Sequence, residues 1–427
     1  MAHPENKGIA RFREERDRFF SLYELSQQSN DPDTRLSGAF AKLMGEARGR
    51  IVGAYDAGEP FIAGNYATAP EVAVAMDLPW YMLYESAFMA HEEMDAAMAA
   101  MGVSADICAT HRSAMYYLEH DLVPAPTAAI GLLFPCDGMP MLHQVIKHHR
   151  HWRDVPMFSP DPPYFNDHRA VSYFAAELRK MAAFLERVTG RTLDLDRLKA
   201  VIVEGEKQYA LWREYVELRR AVPCPDGFAQ GGSKCFFVSQ VLQVGQPDGT
   251  TWFATLLENA ERKVATGIGA AQPEKIRLFW FDIVPTTWAS DFMPWLEREW
   301  GAVMVMDMFS NHAYSPIDTS NEERMWQGLA RRGLFETAMM RQATGTAEAR
   351  VEDLVRIVKD YQIDAVVWPG HMGHKESLAL YGIVRETCRE LGVPILELRM
   401  DMFDKRYTTP DEIKDTFSKF FRAMDLG

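Results

Sequence analysis

The chain has 427 residues, 47 % of them hydrophobic, and a formal net charge of −14. That length supports two or three domains with substantial cores. The acidic balance, with no run of Lys or Arg, argues against a nucleic-acid surface. The start Met1–Lys7 is too polar for a signal peptide, and no apolar stretch is long enough to span a bilayer. The five cysteines lie far apart, at 108, 136, 224, 235 and 388, which suits a reducing cytosol and not a disulfide framework. A cytoplasmic protein with no membrane partner is therefore expected.

Residues 8–57 read as two helices broken at Ser29-Asn30-Asp31-Pro32-Asp33, with Asp33 a candidate N-cap. Strands and helices then alternate. Pro60–Gly64 is a strand, a helix starts at Ala69-Pro70-Glu71, and Trp80–Tyr84 is a strand. Cys108 opens a helical stretch. The apolar run Ala128–Pro135 reads as a buried parallel strand with Cys136 where it should end. Val155–Phe158 closes this first series. Residues 166–270 change to long charged helical patterns whose one clear break is Val222–Gly227. The alternation resumes at Lys275–Phe281 and continues through Ala302–Met306, Ile363–Trp368 and Pro394–Leu398, ending in a helix from about Pro410 to Met424.

This rhythm predicts an α/β protein with two similar doubly wound parallel-sheet, Rossmann-like domains. The expected division is N-terminal helices over 1–57, a first α/β domain over 58–165, a helical insert over 166–270 and a second α/β domain over 271–427.

In open α/β sheets, ligands bind beyond the carboxyl ends of the strands. Cys108, Cys136 and the segment Gly370-His371-Met372-Gly373-His374-Lys375 all fall at such ends. Three soft or borderline donors at separate element ends suggest an iron–sulfur site assembled from distant segments. The 28-residue spacing of the two cysteines matches no zinc-ribbon or ferredoxin run. A buried cysteine is as a rule only a small hydrophobe, and Cys224, Cys235 and Cys388 read that way. His148-His149-Arg150-His151 reads as a solvated face, with His143 on the same helix. Trp252, Phe253 and Trp288 read as core. Glycines beside His371 and His374 allow close backbone approach to a bound group. No Walker A sequence or strand-anchored G-x-G-x-x-G is present, so no nucleotide is expected on this chain.

Several segments resemble the catalytic subunits of the 2-hydroxyacyl-CoA dehydratase and benzoyl-CoA reductase family over nearly the whole chain. The resemblance is carried by Cys108-Ala109-Thr110-His111-Arg112, by Phe134-Pro135-Cys136-Asp137-Gly138, and by Gly392-Val393-Pro394 with the following Asp401-Met402-Phe403-Asp404-Lys405-Arg406-Tyr407. Pro285-Thr286-Thr287-Trp288 and Gly301-Ala302-Val303 resemble the dehydratase α-chain type. The family places a third cysteine in an asparagine-arginine-glycine-cysteine-lysine turn. Here that turn reads His371-Met372-Gly373-His374-Lys375.

The resemblance implies a 4Fe–4S cluster on Cys108 and Cys136, with His374 as third ligand in place of cysteine. It implies a paralogous second subunit and a separate ATP-hydrolysing iron–sulfur activator that injects one low-potential electron. The acyl-CoA thioester then becomes a ketyl radical, leading to 2-hydroxyacyl-CoA dehydration or aryl-CoA ring reduction. Glu85 and His312 are the candidate proton-transfer groups; Glu85 reads equally as an ordinary helix-start carboxylate, and for His312 a loop hydrogen bond ranks ahead of that role. Asn65 and His371 are the candidate substrate contacts. Two alternatives stand beside this one. One is a cluster-free structural partner of a catalytic paralogue, and the other is a non-CoA reductase or electron carrier on the same scaffold.

Overall fold

The computed structural model describes residues 6–83, 94–284, 286–344, 347–402 and 407–425. Two helices open it, Lys7–Gln27 and Pro32–Ala57. The second is capped by Asp31, whose carboxylate accepts from the backbone N–H of Asp33 and Thr34, and not by Asp33 as the sequence suggested. The reason is Pro32. It lacks an N–H and its fixed φ suits the first helical turn, so the cap falls one residue before it.

The alternation resolves into two four-stranded parallel sheets. The first holds β1 (Ile62–Gly64), β2 (Trp80–Met82), β3 (Ala128–Ile130) and β4 (Met157–Phe158), in the order β2-β1-β3-β4. The second holds β5 (Ile276–Trp280), β6 (Ala302–Asp307), β7 (Ala365–Trp368) and β8 (Ile395–Glu397), in the order β6-β5-β7-β8. The two orders are the same permutation. In each, the chain moves to one side of its first strand and then crosses to the other, so each sheet has a switch point, at β1/β3 and at β5/β7.

The strand before Cys136 is shorter than its apolar run suggested. Gly131 still donates to Phe158 O at 2.9 Å, but the ladder ends there. A Cβ on Gly131 would lie 2.0 Å from His143 Nε2, so the backbone leaves the sheet against that ring. Pro135 has no N–H to continue a ladder. The 166–270 region is helical as expected, with helices His168–Thr189, Leu195–Leu218 and Pro247–Thr266. It has two more breaks than expected: Gly190 in the left-handed region ends one helix and Asp194 caps the next, and residues 243–246 part a short helical segment, 234–242, from the last helix.

One apolar cluster joins the N-terminal helices, the first sheet and the insert, running through Phe12, Phe61, Phe174, Trp212 and Phe253. The second sheet is enclosed by its own two clusters, one holding Trp280 and Phe417 and the other Phe279 and Trp368. Trp252 and Phe253 are core, as read from sequence, and so are Cys224, Cys235 and Cys388. No helix among the described residues is long and apolar enough to cross a membrane.

Polar pins tie the two halves together. Arg219, on the Leu195–Leu218 helix end, donates to the carbonyls of Val305 and Met304 in β6, each at 2.9 Å. Arg112, on the helix Ala109–Glu119, donates to Asp401 beyond β8 at 2.6 Å, with both side chains at most 2 % exposed. An ion pair that deep gains from low dielectric only while both partners remain. Asp401→Ala is therefore expected to cost about 3–5 kcal/mol in chemical denaturation, whereas the double change Arg112→Met with Asp401→Leu should cost clearly less.

Candidate functional site

The carboxyl ends of the two sheets face each other, and an apolar cavity of about 60 Å³ lies between them. That is room for more than one water-sized guest. Tyr66 reaches it from beyond β1, Cys136 and Met139 from beyond β3, Ile283 from beyond β5, and His374 from beyond β7. Cys108, Thr110 and His111 come from the start of the Ala109–Glu119 helix. Phe236, Phe237, Phe309, Met82 and Met339 complete a largely apolar wall.

The close approach of the halves depends on glycine. A Cβ on Gly373 would fall 2.2 Å from Cys108 Cα and 2.6 Å from its N. Only a bare backbone fits there. Outside the cavity, the exposed Lys375 ammonium bridges Asp137 at 2.5 Å and Asp106 at 3.1 Å. It thereby links the segments that carry Cys136 and Cys108.

Inside, acids and bases alternate along one chain of contacts. Asp282 Oδ1 lies 3.0 Å from His374 Nδ1 and also accepts the Ile283 N–H at 2.8 Å. The His374 ring in turn hydrogen-bonds Cys108. His111 also bonds Cys108, and its Nε2 lies 3.4 Å from Cys136 Sγ. Burial alone would raise the Cys108 thiol, but the adjacent His374 and His111 override it and hold it well below the ordinary value. Burial would depress both imidazoles. For His374 the Asp282 carboxylate and Cys108 reverse this and raise it well above the usual range. For His111 the two thiols do the same and raise it to about 10. Burial would likewise raise Asp282, and His374 keeps it below the usual carboxylate range.

The cavity thus brings together Cys108, Cys136 and His374, the three sequence candidates for ligands. Other candidates lie elsewhere. His371 is buried next to His374, with its Nε2 donating to Ile283 O at 2.8 Å, and is not among the residues lining the cavity. Asn65 lines smaller clefts on the first sheet, and its Oδ1 accepts the Ala67 N–H at 2.8 Å. His312 does not line the cavity either. It is packed among Tyr209, Trp212 and Tyr314, and its Nε2 donates to Tyr209 O at 3.0 Å. That is the loop-type hydrogen bond weighed against a catalytic role, and burial lowers its pKa to about 4. Glu85 lies outside the described residues. The His148–His151 run is divided: His149 is buried, while His148 and His151 are exposed.

Sequence reasoning missed His111 and Asp282. His111 had a signal in its spacing, three residues after Cys108 on one helix face. Asp282 had a weaker one, an acid immediately past an apolar strand.

Among the described residues, no group of three or more His, Cys, Asp and Glu stands together closely enough for a single metal ion. A polynuclear cluster asks for something different, namely soft donors placed around a cavity, each for its own iron. Two thiols and an imidazole line one largely apolar cavity and are the right donor types, with Cys108 and His374 in hydrogen-bond contact that a cluster between them would have to replace.

One outcome tests the close approach at Gly373, and a second tests the burial of two histidines outside the cavity. Gly373→Ala should lower stability by about 1–3 kcal/mol, the usual cost of forcing extra volume into a packed site, read as a shift in the denaturation midpoint. Burial also lowers His143 and His312 to about 4 each. A histidine depressed in the fold lends stability above its unfolded pKa and loses it as pH falls toward the folded value. Denaturation stability should therefore fall between about pH 6.5 and 4, and His312→Gln should remove up to one proton from that slope.

The family model described as 2-hydroxyglutaryl-CoA dehydratase, D-component, matches residues 65–422. A search of curated proteins gave no match. The family match covers β2 to β8 and every residue that lines the cavity, and the chain belongs to that family.

Proposed function

We propose that this member of the 2-hydroxyglutaryl-CoA dehydratase D-component family is a cluster-holding subunit of an enzyme acting on acyl-CoA thioesters. Cys108, Cys136 and His374 are its protein ligands. The observation that carries the reading is their convergence on one apolar cavity at the facing switch points of two sheets. A 4Fe–4S cluster bound there supplies a low-potential electron and a Lewis-acidic iron for a 2-hydroxyacyl or aryl thioester.

The chain's own residues set the conditions for that chemistry. Phe236, Phe237, Phe309 and Ile283 exclude water from the cavity. Tyr66 presents a phenol whose burial raises its pKa, so it keeps its proton and can donate a hydrogen bond to a thioester or hydroxyl oxygen. Lys375, with Asp106 and Asp137, holds the outer edge together. An imidazole as third ligand leaves the cluster less negative than three thiolates would, which raises its potential. Electrons would arrive from a separate ATP-hydrolysing iron–sulfur protein, and a paralogous second subunit would complete the enzyme, as the family resemblance implies.

One observation favours a second reading, a cluster-free partner of a catalytic paralogue. His111 contacts both thiols, so each has a polar partner with no metal present. Iron and acid-labile sulfide on anaerobically purified protein separate the two readings. About four of each per chain is expected for a cubane, with loss in Cys136→Ser. Iron-free protein after anaerobic reconstitution would establish the partner reading instead. In cluster-loaded protein, His374→Cys should lower the midpoint potential.

A further inference from the structure

We infer that Asp282 is the positioning residue that makes His374 a ligand, fixing its ring so that the nitrogen opposite the carboxylate faces Cys108 and the cavity. This rests on the cluster reading above and adds to it a residue and a dependence. A cysteine in the third position needs no such support, because a thiolate donates in many rotamers. An imidazole has two nitrogens and must be held with its N–H turned away from the metal.

The structure supplies that hold. Asp282 lies two residues past β5, 1 % exposed, with Oδ1 3.0 Å from His374 Nδ1. Its own orientation is fixed by the Ile283 N–H on the same oxygen at 2.8 Å. The His374 ring is itself buried, and its backbone N–H donates to His371 O at 3.0 Å, closing the turn that aims it. With Nδ1 occupied by the carboxylate, the other nitrogen is the one left for Cys108 and the cavity. Carboxylate, imidazole and cavity are thus arranged as in metal sites whose histidine is oriented by an acid. The segments that follow β5 and β7, adjacent strands of one sheet, supply this arrangement.

The test is a double-mutant comparison on the full chain, loaded anaerobically with ferrous iron and sulfide. Iron retention is read against a competing chelator. With His374 present, Asp282→Ala should weaken retention about 10–100-fold. Asp282→Asn keeps an acceptor oxygen and should weaken it less. In the His374→Cys background the same two changes should leave retention unchanged, because no ring remains to be oriented. Equal losses in both backgrounds would mean that Asp282 only supports the fold, and the inference would fail. Should His374→Cys not fold, the nitrogen hyperfine coupling of the reduced wild-type cluster is the second readout. It should change in Asp282→Asn, and an unchanged coupling with unchanged retention overturns the inference. Wild-type protein that takes up no cluster overturns this inference and the cluster reading together. Wild-type protein that loads normally while Asp282→Ala also loads normally overturns this inference alone.

Discussion

The close contact between Gly373 and Cys108 is the constraint on which the site depends. It sets the turn that follows β7 directly against Cys108, the N-cap of the Ala109–Glu119 helix, with no side chain between them. Only at that separation do an imidazole from one sheet and two thiols from the other line the same cavity. The buried Arg112–Asp401 pair stands one helical turn further along the same helix and closes the same seam. Lys375 closes it at the solvent side. Three different interactions thus act on one junction: bare backbone contact, a desolvated ion pair, and an exposed bridge. Of these, the desolvated ion pair carries the most energy at stake and the exposed bridge the least.

The chemistry at this junction follows from burial. A lone thiolate or carboxylate in an apolar cavity is expensive. Here the charged groups alternate in sign in the order Asp282, His374, Cys108 and His111, and the Cys136 sulfur lies against His111 at the end of the chain. The aromatic and methionine walls lower the local dielectric around those pairings, which strengthens them. The same walls would protect a reduced cofactor and a reactive substrate. Cavity and charge pattern are therefore two aspects of one design, since the dry wall is what makes the pairing necessary.

The exchange of cysteine for histidine at the third position is what separates this chain from the pattern its family resemblance implies. It shifts the demand from a soft anionic donor to a neutral ring that must be oriented from behind. The doubly wound order of the second sheet answers that demand. Asp282 leaves β5 and His374 leaves β7, and these strands are hydrogen-bonded neighbours. The switch point places acid and base side by side without any nearness in sequence, at a separation of 92 residues.

The sequence by itself determined the periodic features. The apolar runs at Lys275–Phe281 and Ile363–Trp368 marked strands of a parallel sheet, because strands buried on both faces have no polar alternation. Cys108 at a helix start and the glycines of the 370–374 turn were also legible, since local backbone requirements leave local residue signatures. Where a strand stops was not legible at Gly131, because the ladder ended on a tertiary contact with His143. Nor could the chain order tell which histidines matter. His312 and His371 have the same local credentials as His374, yet one is bonded to Tyr209 O and the other to Ile283 O, away from the cavity lining. His111 and Asp282 entered the site only through the packing of two sheets. Short-range order is encoded by propensity and pattern, whereas the meeting of Asp282, His374, Cys108 and Cys136 is a long-range contact that exists only once both switch points face one another.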